Sequence, residues 1–320
     1  MCTYNGSRFL RAQLESIRTQ TRPPDELVIC DDDSSDDTVG IIEQFRSSAP
    51  FPVRLEINTE NLGSTKNFEK AISLCQGTLI ALADQDDVWL PQKLETIATK
   101  FHQESTVGLV FSDAELINEE LRPLNARLWA SIGFDGDLQA QFKDERAFDI
   151  LLPGWVVTGA TMAFHSRFRT LALPIPDDIP VIHDGWIASL IAAVADVSFI
   201  DKPLIKYRVH SEQQIGVPKE HRQRQRNGQS LRQAMHRINS YSHLILVGEC
   251  VRVRLAETCS LFDSAAALRR LDARIDHLRS RDGMPHGRFN RLPRVLRELL
   301  TRRYHLYSNG FHSALKDLMS

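Results

Sequence analysis

Leu79-Ile80-Ala81-Leu82-Ala83-Asp84-Gln85-Asp86-Asp87-Val88-Trp89-Leu90-Pro91 is the stretch that decides the fold. Leu79–Ala83 is an apolar run with the length of a buried strand, and it empties into Asp84, Asp86 and Asp87. Leu27-Val28-Ile29-Cys30 repeats the arrangement and leads into Asp31-Asp32-Asp33-Ser34-Ser35-Asp36-Asp37-Thr38. Apolar residues at helical spacing separate these runs. Phe9, Leu10, Leu14 and Ile17 precede the first, and Val39, Ile41, Ile42 and Phe45 follow its acidic turn. Phe68, Ala71, Ile72 and Leu74 mark a helix that Gln76-Gly77 ends with a glycine cap. Val53–Ile57 and Val107–Phe111 read as further strands, and Pro91 opens a helix carrying Leu94 and Ile97. The alternation predicts an α/β fold with an open, mostly parallel sheet flanked by helices. Ligands in such sheets sit beyond the carboxyl ends of strands, where both acidic clusters fall. Residues 3–8 read as a loop leaving a strand, yet only Met1 and Cys2 precede them. A buried strand usually needs more residues, so the first strand is expected to be truncated or its start misassigned.

The 320 residues suffice for a catalytic domain and an appendage. With 42% hydrophobic and 25% charged residues, a disordered, collagen-like or low-complexity chain is excluded. The net charge of −2 hides a division. Residues 1–217 hold 19 Lys and Arg against 32 Asp and Glu, whereas residues 218–320 hold 20 against 9. The acidic part, 1–217, carries the strand signals. The basic part, 218–320, reads as a C-terminal helical extension, with apolar residues at helical spacing from Leu231 to Leu271 and amphipathic stretches at Leu292–Leu300 and Phe311–Leu318. There is no internal repeat. Cys2, Cys30, Cys75, Cys250 and Cys259 are odd in number and form no CxxC pair, which argues against a disulfide framework or a zinc site and for reduced thiols in the cytoplasm. No apolar run approaches the ~20 residues of a membrane span, and no signal peptide is visible.

Chemistry concentrates in the acids. The cluster after Cys30 makes a polar turn and supplies caps for the next helix. It fails as a calcium loop, because positions six and twelve from Asp31 hold Asp36 and Ile42 instead of Gly and Glu. Asp84, Asp86 and Asp87 repel one another at a strand end, and a divalent cation carrying a diphosphate would compensate them. Mg²⁺ or Mn²⁺ needs only one or two protein carboxylates when phosphate oxygens complete its shell.

Four segments then fall in a telling order: Cys2-Thr3-Tyr4-Asn5-Gly6, Asp31 to Thr38, Asn61-Leu62-Gly63 with Lys66-Asn67-Phe68, and Ala83 to Pro91. As a set they resemble family 2 glycosyltransferases with the GT-A fold, in particular the bacterial rhamnosyltransferase-like branch. The resemblance covers about residues 1–217 and is weak past 220. It implies a metal-dependent, inverting transfer of a sugar, rhamnose by preference, from a nucleotide-diphosphate donor (dTDP-rhamnose or a UDP-sugar). It further implies a glycan or lipid-linked oligosaccharide acceptor in surface polysaccharide synthesis. On the same ground Thr3 and Tyr4 match the loop lining the base, and Asp32 the carboxylate that accepts from the pyrimidine. Asp84 matches the ribose-side acid and Asp86 the metal ligand. Asp31 supports the turn, Asp87 either caps the following helix or acts directly, and Lys66 contacts the donor or is a solvated helix charge.

Gly154-Trp155-Val156-Val157-Thr158-Gly159-Ala160-Thr161-Met162-Ala163-Phe164 reads as a strand with a tight turn, and by resemblance it approaches the donor sugar and acceptor. Asp184, in Ile182-His183-Asp184-Gly185-Trp186, is either a helix N-cap or the general base that the resemblance implies. Desolvation beside Trp186 would strengthen its basicity. His183 stands where many relatives carry an acid. His210, in Tyr207-Arg208-Val209-His210-Ser211-Glu212-Gln213-Gln214, is either structural or, as the resemblance implies, a group that ligates the metal or touches the diphosphate. A nucleotidyltransferase fits less well, because residues 5–11 lack a glycine-rich phosphate loop, and an inactive glycosyltransferase-like scaffold is the non-enzymatic alternative. The arginines among Leu, Phe and Tyr in 290–320 suit either a cap on the catalytic part or peripheral contact with an anionic membrane at the inner face of the plasma membrane. No nucleic-acid motif accompanies the charge.

Overall fold

A computed structural model describes residues 1–143, 147–179, 181–210 and 240–319. The boundary at 217/218, the start of the helical pattern at Leu231 and the segment Ser211–Gln214 lie outside the described residues. In chain order the elements are β1 (Cys2–Thr3), α1 (Ser7–Arg18), β2 (Leu27–Asp31), α2 (Thr38–Arg46), β3 (Val53–Ile57), α3 (Ser64–Leu74), β4 (Leu79–Ala81), β5 (Val88–Trp89), α4 (Lys93–Gln103), β6 (Val107–Ile117) and β7 (Pro123–Arg127). Short helices α5 (Leu128–Ile132), α6 (Gly136–Gln141) and α7 (Ala147–Leu151) lead to β8 (Met162–His165), α8 (Arg169–Ala172), α9 (His183–Ala192) and β9 (Asp196–Arg208). The C-terminal helices are α10 (Tyr241–Glu257), α11 (Ala265–Asp282), α12 (Arg288–Leu300), α13 (Arg303–Tyr307) and α14 (Phe311–Met319).

The expected α/β architecture, with helices flanking the sheet and a helical C-terminal part, is present. Strands β1, β2 and β3 pair in parallel in that order. The first strand consists of two buried residues, in register as Cys2 with Cys30 and Thr3 with Asp31. A second sheet runs β4-β8-β6-β9-β5, with β7 on β6, and it is mixed. Only β6 and β9 are parallel in it, so parallel pairing belongs chiefly to the first half. The Cys2 N–H donates to the Ala83 carbonyl at 3.3 Å, which joins the halves at the strand ends where the acids gather.

Periodicity explains the layers. Leu10, Leu14 and Ile17 of α1 and Phe68, Ala71 and Ile72 of α3 are buried against Ile29 and Cys30 of β2. Behind β6, Phe111 is ringed by Trp129, Phe134, Phe142 and Phe199 at centroid distances of 5.5–6.1 Å. Such tilted and edge-on pairs contribute about 1 kcal/mol each beyond burial. Helices α10 and α11 extend this same core through Val247, Val251, Leu255, Leu271 and Ile275. Arg274 donates to the Asp149 carbonyl at 2.8 Å, and Arg254 donates to the Leu173 carbonyl at 2.9 Å. Part of the basic extension therefore binds the acidic half. Helices α12 to α14 form a small separate cluster around Val295, Tyr304 and Ala314. Among the described residues no helix is long and apolar enough to cross a membrane.

Candidate active site

The loop after β2 is braced from within. Asp31 accepts from the Thr3 hydroxyl at 2.7 Å, the Ser34 hydroxyl at 2.7 Å and the Ser34 N–H at 2.9 Å. It supports the turn, and it engages the hydroxyl of Thr3, which is itself buried. Asp32 is buried too and accepts from the Asn58 amide at 2.7 Å and from the N–H groups of Leu62 and Gly63 at 2.8 and 2.9 Å. It thus ties β2 to the segment leading into α3. Tyr4 is half exposed at the mouth of this loop.

The loop after β4 carries the second cluster. Gln85 accepts from the Tyr4 N–H at 2.8 Å and donates to the Tyr4 carbonyl at 2.9 Å, closing a two-bond clasp between the first and second acidic loops. Gly6 leaves room for it, since a Cβ there would lie 2.1 Å from the Gln85 amide oxygen. Asp84 has its pKa raised to about 7 by desolvation, then by the charges of Asp86 and Asp184. Asp87 is fully buried, and its pKa is pushed up by desolvation and then by the charges of Asp86 and Asp84. It caps no helix: one carboxylate oxygen accepts the Arg208 N–H at 3.1 Å. Lys93, also buried, lies over the Trp89 ring at 4.0 Å and donates to the Ala160 carbonyl at 2.5 Å. Burial lowers its pKa to about 7 against the pull of Asp87 and Asp84.

Asp86 meets His210: the His210 Nε2 lies 2.8 Å from the Asp86 carboxylate. Two cis ligands at about 2.1 Å from an octahedral Mg²⁺ or Mn²⁺ would stand about 3 Å apart, so the pair fits two neighbouring positions of one ion. No group of three such ligands is assembled among the described residues. The remaining positions would fall to diphosphate oxygens and water, as suits a hard cation. Arg208 anchors this corner. Its guanidinium donates to the carbonyls of Asp86 and Glu119, both at 2.6 Å, and lies over the Phe9 ring at 4.5 Å.

Asp184 is the second residue of α9, in its first turn, and is not its N-cap, which is Ile182. Only 4% of its surface is exposed. Its carboxylate accepts the Gly159 N–H at 2.8 Å and the Gly185 N–H at 2.6 Å. Desolvation raises its pKa to about 7 against these bonds. The two glycines allow the approach: a Cβ on Gly185 would lie 2.6 Å from the Gly154 carbonyl oxygen. His183 stacks on Phe68 at 4.0 Å with both ring nitrogens unbonded, and burial lowers its pKa to about 3. It brings no positive charge to Asp184 at neutral pH.

The structure therefore gathers Asp84, Asp86, Asp184 and His210, with Asp32 and Tyr4 on adjoining loops. Tyr207, buried on β9, has its pKa raised by burial and then by Asp87, Asp84, Asp86 and Asp184. Lys66 is engaged elsewhere. It donates to the Ile175 carbonyl at 2.6 Å and pairs with Asp177 at 2.7 Å and Glu69 at 3.1 Å. Gln85, Lys93 and Arg208 escape a reading by motif, because their partners lie far away in sequence. The only local sign was a polar residue inside an apolar or acidic run. A cleft of about 440 Å³ opens between Leu62–Lys66 on one side and Pro176, Asp177, Ile179, Val181 and Ile182 on the other.

Residues 1–158 match the model for Glycosyl transferase family 2. An uncharacterized glycosyltransferase of Nostoc sp. is 34% identical over 107 residues, covering 33% of each chain. The dTDP-rhamnosyl transferase RfbG of Shigella flexneri is 27% identical over 224 residues, covering 68% of this chain and 74% of its own. The matched stretch thus spans a third of the first relative and about three quarters of the second. Among solved structures, S. aureus TarS 1–349 in complex with UDP-GlcNAc superposes with a TM-score of 0.59 at 14% identity, covering 99% of this chain and 80% of that one. At that identity the likeness concerns the fold, which is the GT-A arrangement. Residues 1–158 of the chain are therefore a glycosyl transferase family 2 domain.

Proposed function

We propose that the chain transfers a sugar from a nucleotide-diphosphate donor to a hydroxyl of a glycan or lipid-linked oligosaccharide, inverting the anomeric carbon. The observation that carries this reading is Asp184. It is a buried carboxylate fixed by two backbone N–H groups, near enough to Asp84 for their charges to act on each other. The acceptor oxygen attacks the anomeric carbon, the bond from that carbon to the diphosphate breaks, and the acceptor proton passes to Asp184. A carboxylate that titrates at about 7 is a stronger base than an ordinary one, yet still substantially ionised at neutral pH.

Asp86 and His210 would hold Mg²⁺ or Mn²⁺, which when bound would offset charge on the departing diphosphate. Asp84 takes the ribose side. Asp32, with Tyr4 and the backbone of Thr3, lies toward the base, and the 440 Å³ cleft beside Leu62 and Gly63 gives the donor room. The name of RfbG favours dTDP-rhamnose, and the ligand of TarS keeps a UDP-sugar next. Surface polysaccharide synthesis at the cytoplasmic face is the setting we propose. Nucleotide release should be measured across a panel of donors with Mg²⁺ or Mn²⁺. One donor should turn over, and Asp184→Asn should lower its rate by about 10²–10⁴-fold while sparing donor binding. Near-normal turnover by the variant would overturn the assignment.

A further inference from the structure

Helix α12 shows an apolar stripe that nothing among the described residues covers. Phe289, Leu292, Leu296 and Leu300 recur at three- and four-residue spacing along one side, 90%, 41%, 48% and 84% exposed. The stripe runs for about 16 Å along the helix axis. The helix cannot roll it inward, because the opposite side is fixed. Glu298, buried, accepts from or shares a proton with His277 Nδ1 at 2.7 Å, and Val295 packs with Tyr304 and Ala314. Helix α14 packs beside it and leaves Phe311, Leu315 and Met319 open on its own surface. The platform beneath is tied by Asp317, which accepts from Arg281 at 2.6 and 2.9 Å and from the Tyr304 hydroxyl at 2.8 Å.

We propose that this stripe docks the chain on an anionic lipid bilayer, with α12 lying in the interface. Charge identifies the partner. Residues 288–303 contain Arg288, Arg291, Arg294, Arg297, Arg302 and Arg303, and the one acid among them is the buried Glu298. Arg291 and Arg294 donate to backbone carbonyls and Arg303 pairs with Asp276 and Glu298, which leaves Arg288, Arg297 and Arg302 exposed around the stripe. This is the pattern of an interfacial helix, whose apolar side enters the acyl boundary while the exposed cations meet lipid phosphates. A second copy of the chain is the poorer occupant, since a two-fold contact would set like charges against each other. The inference rests on the C-terminal helices alone and does not depend on the roles of Asp86 or Asp184.

The 320-residue chain should be sedimented with vesicles of phosphatidylcholine, alone or with one third phosphatidylglycerol. Binding is expected to the anionic vesicles and to weaken in high salt. Phe289→Ser with Leu300→Ser should weaken it about tenfold or more, and Arg297→Gln with Arg302→Gln about fivefold per arginine. Both variants should keep the wild-type melting temperature and donor turnover without vesicles, which separates docking from folding. Equal binding of wild type and variants, or none to anionic vesicles, overturns the proposal. So does a dimer in light scattering that Phe289→Ser with Leu300→Ser converts to a monomer while the wild type leaves vesicles unbound.

Discussion

Replacing Asp184 by Asn should cost the enzyme its base and at the same time stabilise the fold, but only above neutral pH. The carboxyl of Asp184 titrates at about 7 in the folded chain, against an ordinary value of 3.8. A raised folded pKa means full stability below pH 3.8, where both folded and unfolded chains hold the proton. That stability is lost progressively as pH climbs to about 7, because the unfolded chain ionises first. The accumulated penalty at pH 8 is about 4 kcal/mol, at 1.36 kcal/mol per pH unit. Asn is neutral throughout and removes it. Its amide oxygen can serve one of the Gly159 and Gly185 N–H groups, and losing the other bond takes back about 1–2 kcal/mol. The net gain at pH 8 is about 2 kcal/mol, and a chain of this size should melt about 3 °C higher. At pH 4 the lost hydrogen bond is all that remains, and the variant should melt slightly below wild type. Calorimetric melts of both proteins from pH 4 to 8.5 are the assay. A destabilisation of equal size at both ends of that range would refute the reasoning, because it would mean that Asp184 ionises as an ordinary carboxylate.

Asp86→Ala should abolish the gain in nucleotide-diphosphate affinity that Mg²⁺ confers, about tenfold or more, in titration calorimetry with and without the ion. Identical titrations of wild type and variant would remove Asp86 from the metal. Gly185→Ala places a methyl against the Gly154 carbonyl and Cα, at 2.6 and 2.7 Å, where backbone must give way. It should destabilise by about 1–3 kcal/mol and depress turnover by displacing Asp184; a fully active, fully stable variant would show that the contact relaxes freely. Lys93→Met should destabilise by about 1–3 kcal/mol in urea unfolding, by leaving the Ala160 carbonyl without its buried donor; an unchanged unfolding midpoint would show that this bond contributes nothing.

Strands with a simple pattern were legible. Val53–Ile57 forms as read, and Leu27–Cys30 grows by Asp31 alone. Leu79–Ala83 shortens to Leu79–Ala81 and Val107–Phe111 lengthens to Ile117, because pairing partners, not composition, set strand ends. The antiparallel half was not legible, since an apolar run does not state which neighbour it will meet. The acids were visible because charge at the end of a buried run is anomalous. What each acid touches was not visible. Asp184 depends on Gly159, 25 residues away, and Asp86 on Arg208 and His210, more than 120 away. Lys66 was equally opaque: its bonds to Asp177 and Ile175 join residues more than 100 positions apart.

Gln85 has a consequence that reaches past its two hydrogen bonds. Its side-chain amide meets the N–H and the carbonyl of Tyr4 as a neighbouring strand residue would, continuing a ladder beyond the point where the main chains part. The first and second acidic loops are thereby indexed to each other like two teeth of one gear. A ligand that shifts the Tyr4 loop must carry Asp84 and Asp86 with it, and an ion that draws Asp86 aside is felt at Tyr4. Occupancy at either loop becomes information for the other, carried through this amide and the Cys2–Ala83 bond beside it.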